Sequence, residues 1–133
     1  MANNAFIDSV ATLLGTSSEQ ATSLTRATLT TLAERIDPGE ARDLSARLPA
    51  ELAPYAFGPN QAAEQFGLDE FVSRVGGRAE ADGAQARDAV VAVLVTLRET
   101  IPPGEYDDVI AHLPMEFWDI SGTAGRYDRP GGG

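Results

Sequence analysis

Apolar residues recur at helical spacing along most of the chain, and cap or turn residues separate the runs. Phe6, Val10, Leu13 and Leu14 form a first stripe, which Asn3 or Asn4 would cap and Gly15 ends. Ser17-Ser18-Glu19-Gln20 reads as a capping box, with Ser17 accepting from the Gln20 amide. The helix it opens is predicted to run to about Ile36 and to bury Leu24, Ala27, Thr28 or Leu29, Leu32 and Ile36. Asp37-Pro38-Gly39-Glu40 starts a third helix. Asp37 stands at the N-cap, Pro38 at the first turn where its missing N–H costs nothing, and Glu40 near the positive end of the dipole. Ala41, Leu44 and Leu48 face inward, Pro49 stops the helix, and a short helical turn from about Ala50 to Tyr55 closes the unit.

The same pattern returns 65 positions later without a gap, from Phe6/Phe71 to Tyr55/Ile120, with about a third of the aligned positions identical. Between the copies, Gly58-Pro59-Asn60 marks a turn, and Gln61 to Gln65 is a candidate for a brief helix. Asp69 is the expected cap of the second copy's first helix, which buries Phe71, Val75 and Ala79. Gly76-Gly77 weakens that helix, so a bend or a tight contact is expected there. Asp82-Gly83-Ala84-Gln85 repeats the capping box. The run Ala89 to Val95 has the composition of a buried strand, but its cap, its length and its counterpart Leu24 to Thr30 favour a helix, apolar all round and buried on most sides. A last helix from Pro103 buries Tyr106, Val109, Ile110 and Leu113, with Pro102 a poor cap.

These observations predict an all-α protein: a helical bundle of two duplicated three-helix units related by pseudo-twofold symmetry and packed through their second helices. Residues 1–120 form one domain on this reading, with repeats at about 5–55 and 70–120 and a linker at about 56–68. Residues 121–133 are a Gly-rich stretch expected to be a flexible tail.

The closing motifs carry a resemblance. Leu97-Arg98-Glu99-Thr100-Ile101, Pro103-Gly104-Glu105-Tyr106-Asp107-Asp108 and Leu113-Pro114-Met115-Glu116 resemble the bacterial domain-of-unknown-function family 2267. The first copy departs from the pattern, with Ala33 at the Arg position and Asp37 before a single Pro. The resemblance implies an all-helical bacterial protein with an internal duplication. It carries no activity and so no catalytic residue.

Composition narrows the chemistry. A net charge of −10 argues against nucleic acid and against an anionic membrane surface as partners. The absence of cysteine removes disulfides, thiolate metal sites and cysteine catalysis, and the absence of lysine removes Schiff-base chemistry. No signal peptide is visible and the longest apolar run is too short to span a bilayer, so a cytoplasmic protein is expected.

His112 is the single histidine, four residues after Asp108. The matching pair in the first copy is Asp43 and Arg47, so a helix-face pair explains the spacing without catalysis. Glu34/Glu99, Glu40/Glu105, Asp43/Asp108 and Glu51/Glu116 are acidic in both copies. They could converge on a hard cation, but helix caps and solvated faces explain them more simply, and no metal site or cofactor is assigned. Val91 and Val95 stand where the first copy has Arg26 and Thr30, and Phe117-Trp118 where it has Leu52-Ala53. Those four residues, Val91, Val95, Phe117 and Trp118, are the candidate protein interface.

The function expected from all this is a non-enzymatic interaction or scaffold module whose partner is an unknown protein or a second copy of the chain. A carrier of a small apolar ligand, with a cavity between the repeats, is the second reading and an enzyme the third.

Overall fold

The computed structural model describes residues 5–56 and 63–117. Their order is α1 (Ala5–Leu14), α2 (Ser18–Arg35), α3 (Pro38–Arg47), a 3₁₀ turn (Ala53–Ala56), α4 (Leu68–Ala79), α5 (Gly83–Thr100) and α6 (Pro103–Ala111). The described residues contain helices and no strand, so the protein is all-α, and Ala89 to Val95 lies inside α5. None of these helices is long and apolar enough to cross a membrane. Helices α5 and α6 begin 65 residues after α2 and α3, at the register read from the sequence.

Local chemistry sets most of the boundaries. Ser17 accepts from the Gln20 amide at 3.1 Å, and Asp82 from the Gln85 amide at 2.8 Å. Asp37 accepts from Gly39 and Glu40, while Pro102 offers no side-chain cap. Gly15 turns the chain after α1 at φ 67°. The expected cap at Asp69 is not used. Helix α4 starts two residues earlier than that cap implies, behind Gly67, and its Leu68 amide is met by Glu116 Oε1 at 3.2 Å, from the far end of the chain. Ala63 to Gln65 is not helical, and the rest of that expected helix, like Asn3, Asn4, the Gly58-Pro59-Asn60 turn and the 121–133 tail, lies outside the described residues.

The long helices α2 and α5 touch, as expected, but they are not the sole junction. Helix α1 packs on both α2 and α5, α4 packs on both as well, and α3 meets α6. One continuous core results, from Phe6 and Val10 through Leu32, Leu44, Phe71 and Val93 to Val109 and Phe117. The expected inward residues of α2, α3 and α6 are all buried. Helix α1 differs: Phe6, Ile7 and Val10 are buried, whereas Leu14 is half-buried and Leu13 is 55% exposed. Helix α5 is not apolar-buried all round either, since Val91 and Val95 lie on its outer, half-exposed face.

Helix α2 is no more solvated than α5, despite its threonines. Thr25, Thr28 and Thr31 are fully buried. Threonine has nearly the shape of valine, and Thr28 and Thr31 hide their hydroxyls by donating to Leu24 and Ala27 carbonyls at 2.8 Å. Gly76 bears out the expected close contact: a Cβ there would stand 2.9 Å from the Ala81 carbonyl oxygen, while Gly77 faces open space.

A charged clamp fixes α4 on α2. Glu34 is almost buried, and Arg78 donates to its two oxygens at 3.0 and 2.6 Å. Arg74 donates to Glu34 at 3.0 Å, and also bonds Glu64 at 3.1 Å and Glu70 at 3.0 Å. The Arg74 guanidinium lies 3.9 Å from the centre of the Phe66 ring. Arg35 donates to the Phe66 carbonyl at 2.8 Å, and the Glu64 amide to the Glu34 carbonyl at 2.9 Å, so the incoming chain is tied down too. Burial works against the Glu34 charge, yet the bonds from Arg78 and Arg74 outweigh it and hold the carboxyl below its usual 4.5.

Two substitutions test this packing. Thr25 Oγ1 is buried with no hydrogen-bond partner among the described residues. Thr25→Val, which copies Val90, is expected to stabilise the fold by about 1–2 kcal/mol in chemical denaturation. Glu34→Ala is expected to cost about 2–3 kcal/mol, somewhat less than a fully buried pair because Arg74 and Arg78 keep 25% and 36% of their side-chain exposure. Because the Glu34 pKa is lowered on folding, this difference should be complete above about pH 4.5 and shrink as the pH falls further.

Candidate functional site

Of the four residues expected at an interface, the structure brings two together on a surface. Val91 and Val95, one helical turn apart on α5, line a depression of about 370 Å³ with Leu13 and Leu14 of α1, Ala92 and Asp88. A second depression of about 310 Å³ continues it, lined by Asp8, Ser9, Thr12, Leu13, Val95 and Glu99. Leu13 and Val95 belong to both, so the two form one trough along the α1–α5 seam. Its floor is aliphatic, and its charged lining residues, Asp8, Asp88 and Glu99, are all acidic.

Phe117 corrects the expected set. It is fully buried and meets Phe71 edge-on at 5.0 Å, so it is a core residue that no partner can reach. Trp118 lies outside the described residues. Leu13 was missed because its place in the apolar stripe of α1 assigned it to the core. Its nearness to Gly15, where the helix ends, was the available signal.

The seam between α2 and α4 provides a comparison. A depression of about 560 Å³ there is lined by Glu19, Thr22, Ser23, Arg26, Ala27, Thr30, Tyr55 and Arg78. Ser23, Arg26, Ala27, Thr30 and Arg78 are the residues 65 positions away from Asp88, Val91, Ala92, Val95 and Leu13. At three of these five places, polar Arg26, Thr30 and Arg78 stand where the other seam has aliphatic Val91, Val95 and Leu13.

The second cluster lies where α3 meets α6. One oxygen from each of Glu40, Asp43 and Glu105 lies within 4.8 Å of the others. Glu40 Oε2 and Glu105 Oε2 are buried and have no conventional donor among the described residues. Three carboxylates at this spacing are within reach of one hard cation. A single proton held between Glu40 and Glu105 accounts for both buried oxygens with fewer parts. Burial, with the adjoining Glu105 carboxyl and the charges of Asp108 and Asp43, pushes Glu40 up to about 8.

His112 borders the same contact. Its ring does not pair with the Asp108 carboxylate, as the spacing suggested. Nδ1 faces the Asp108 carbonyl oxygen at 2.9 Å, and Nε2 faces Asp37 across the helix contact at 3.5 Å, a pair that is ionic only when the imidazole is protonated. Asp37 itself is held below its usual range, chiefly by the amides of Glu40 and Gly39. Of the other paired acids, Glu34 is in the clamp, Glu116 caps α4, and Glu51 is exposed. Among the described residues no nucleophile–base pair is formed around these groups, and the carboxyl cluster lines none of the depressions described above.

Residues 3–120 match one protein-family model, described as "Uncharacterized conserved protein (DUF2267)". No curated protein matches the chain significantly.

The α3–α6 cluster predicts a pH dependence. The unfolded chain releases the Glu40 proton near 4.5 and the folded chain near 8, so between those values the folded state binds more protons. Stability is therefore expected to fall as pH rises through that window, by on the order of 1–3 kcal/mol after allowance for solvent screening. Glu40→Gln should flatten the fall and leave the variant more stable than the parent above pH 8, as read from thermal unfolding at a series of pH values.

Proposed function

The chain belongs to the DUF2267 family, matched over residues 3–120, and since that family's description names no activity we propose a function from the surface of the molecule. The protein is a non-enzymatic protein-interaction module, and the α1–α5 trough is its binding face. Residues 1–120 act as one unit built from two duplicated three-helix repeats related by pseudo-twofold symmetry, working in the bacterial cytoplasm. The observation that carries the reading is the exposure of Leu13, at 55%, beside the half-exposed Val91 and Val95. Aliphatic side chains clustered in one solvent-facing trough are costly to leave in water and favourable to cover.

The other readings find less support. A carrier of an apolar ligand needs an enclosed apolar cavity, whereas the largest of the depressions described above is open and lined by Glu19, Arg26, Arg78 and hydroxyls. An enzyme needs its perturbed groups in a cleft, and Glu40 and Glu105 face each other inside a helix contact instead.

A photo-reactive amino acid placed at Leu13 or Val95, with the full chain expressed in its native host, tests the proposal. Covalent protein adducts are expected at both positions and none at Arg42, an exposed residue of α3. Adducts absent from positions 13 and 95, or equally abundant at 42, would sink it.

A further inference from the structure

We infer that the α1–α5 trough receives an amphipathic helix whose apolar stripe seats on Leu13, Val91 and Val95 and whose flanking arginines or lysines pair with Glu99 and its acidic neighbours. The inference rests on the interaction-module reading and names the chemistry of the partner.

The molecule supplies the template. On the α2–α4 seam, the carboxylate near the end of the long helix, Glu34, is clamped by Arg78 and Arg74. Sixty-five residues on, the carboxylate is Glu99, and the residues in the places of Arg78 and Arg74 are Leu13 and Ser9. Glu99, Ser9 and Leu13 line the same depression, so the three matching positions are again neighbours. Glu99 is exposed and pairs with no basic residue among the described residues. The site that an internal helix completes on one seam thus has its carboxylate but not its guanidinium on the other.

Asp8 and Asp88 share the trough, and Arg87, also exposed on α5, lines neither depression. A cationic flank on the partner is therefore the complementary charge. A second copy docking through the same face would set Asp8, Asp88 and Glu99 against their own counterparts, with each chain already at −10. Strand addition has nothing to extend, since the trough is walled by two helices whose backbone groups bond internally. From Asp88 to Glu99 the trough follows α5 for roughly 16 Å, about three turns of a partner helix. The apolar floor is not demanded by the fold, because Arg26, Thr30 and Arg78 stand at the matching places on the other seam.

Two fluorescent peptides of about 14 residues test this, each carrying the same leucine stripe at helical spacing, one flanked by arginines and one by glutamates. Each is titrated by anisotropy against the full chain at about 50 mM and about 500 mM salt. The arginine peptide should bind at least about tenfold tighter at low salt and lose much of that advantage at high salt. Glu99→Gln should reduce the preference. Leu13→Arg should pair with Glu99, match or exceed the parent's Tm, and abolish binding of both peptides.

Equal binding of the two peptides, or a preference untouched by Glu99→Gln, overturns the charge assignment while the interaction reading stands. Binding of neither peptide, with adducts still forming at Leu13, overturns the helical partner alone. A parent chain that sediments as a dimer, dissociated by Leu13→Arg, overturns it in favour of a second copy.

Discussion

Glu34 stands in the last turn of α2, where the helix dipole disfavours a carboxylate, and it is almost excluded from water. Uncompensated, a buried charge in that place would be among the most costly features of the fold. Arg74 and Arg78, one turn apart on α4, make it tolerable, and the placement of α4 on α2 delivers both guanidinium groups to it. Apolar burial supplies most of the driving force but is non-directional. The clamp is directional. It sets how α4 crosses α2, brings Phe71 and Val75 into the core, and orders the chain before α4 through Phe66 and Glu64.

What could be read from the sequence was local. Ser17, Asp37 and Asp82 bond amides two or three residues away, so their helix starts were visible in a few letters. The hydrophobic period recovered the inward faces of α2, α3 and α6, and the 65-residue register made a helix of the valine-rich run. What escaped depends on residues far apart in the chain. The cap of α4 comes from Glu116, 48 residues on, and the clamp joins positions 40 and 44 residues apart. Periodicity identifies a stripe but not where its covering ends, so Leu13 was read as core. Periodicity did not place Thr25 or Thr31 in the core, although both are buried, Thr31 with its hydroxyl bonded back to Ala27. The candidate interface divided for the same reason: Val91 and Val95 are on the surface, and Phe117 fills the core against Phe71.

The Glu40 and Glu105 pair shows local and tertiary demands in conflict. Each glutamate suits the first turn of its own helix, where the dipole favours a negative charge. Packing α3 on α6 then turns the two side chains toward each other and buries an oxygen of each. A rule that is correct for one helix fails for two in contact, and a held proton settles the conflict below about pH 8. The repetition of Pro-Gly-Glu in the sequence announced both helix starts but not the encounter between their glutamates.

The two seams separate what the fold requires from what it permits. Both carry an acidic residue near the end of a long helix, and both place a shorter helix beside it. On the α2–α4 seam the shorter helix brings arginines, and the carboxylate becomes part of the structure. On the α1–α5 seam it brings Ser9 and Leu13, and Glu99 remains at the surface with an aliphatic trough beside it. The second arrangement forgoes an internal ion pair and leaves Leu13 in water, neither of which helps an isolated chain to fold. Residues that weaken a protein in isolation are well placed to act on something outside it. The clamp ties α4 to α2 on one seam, while the other carries in its place the aliphatic surface proposed to meet a partner.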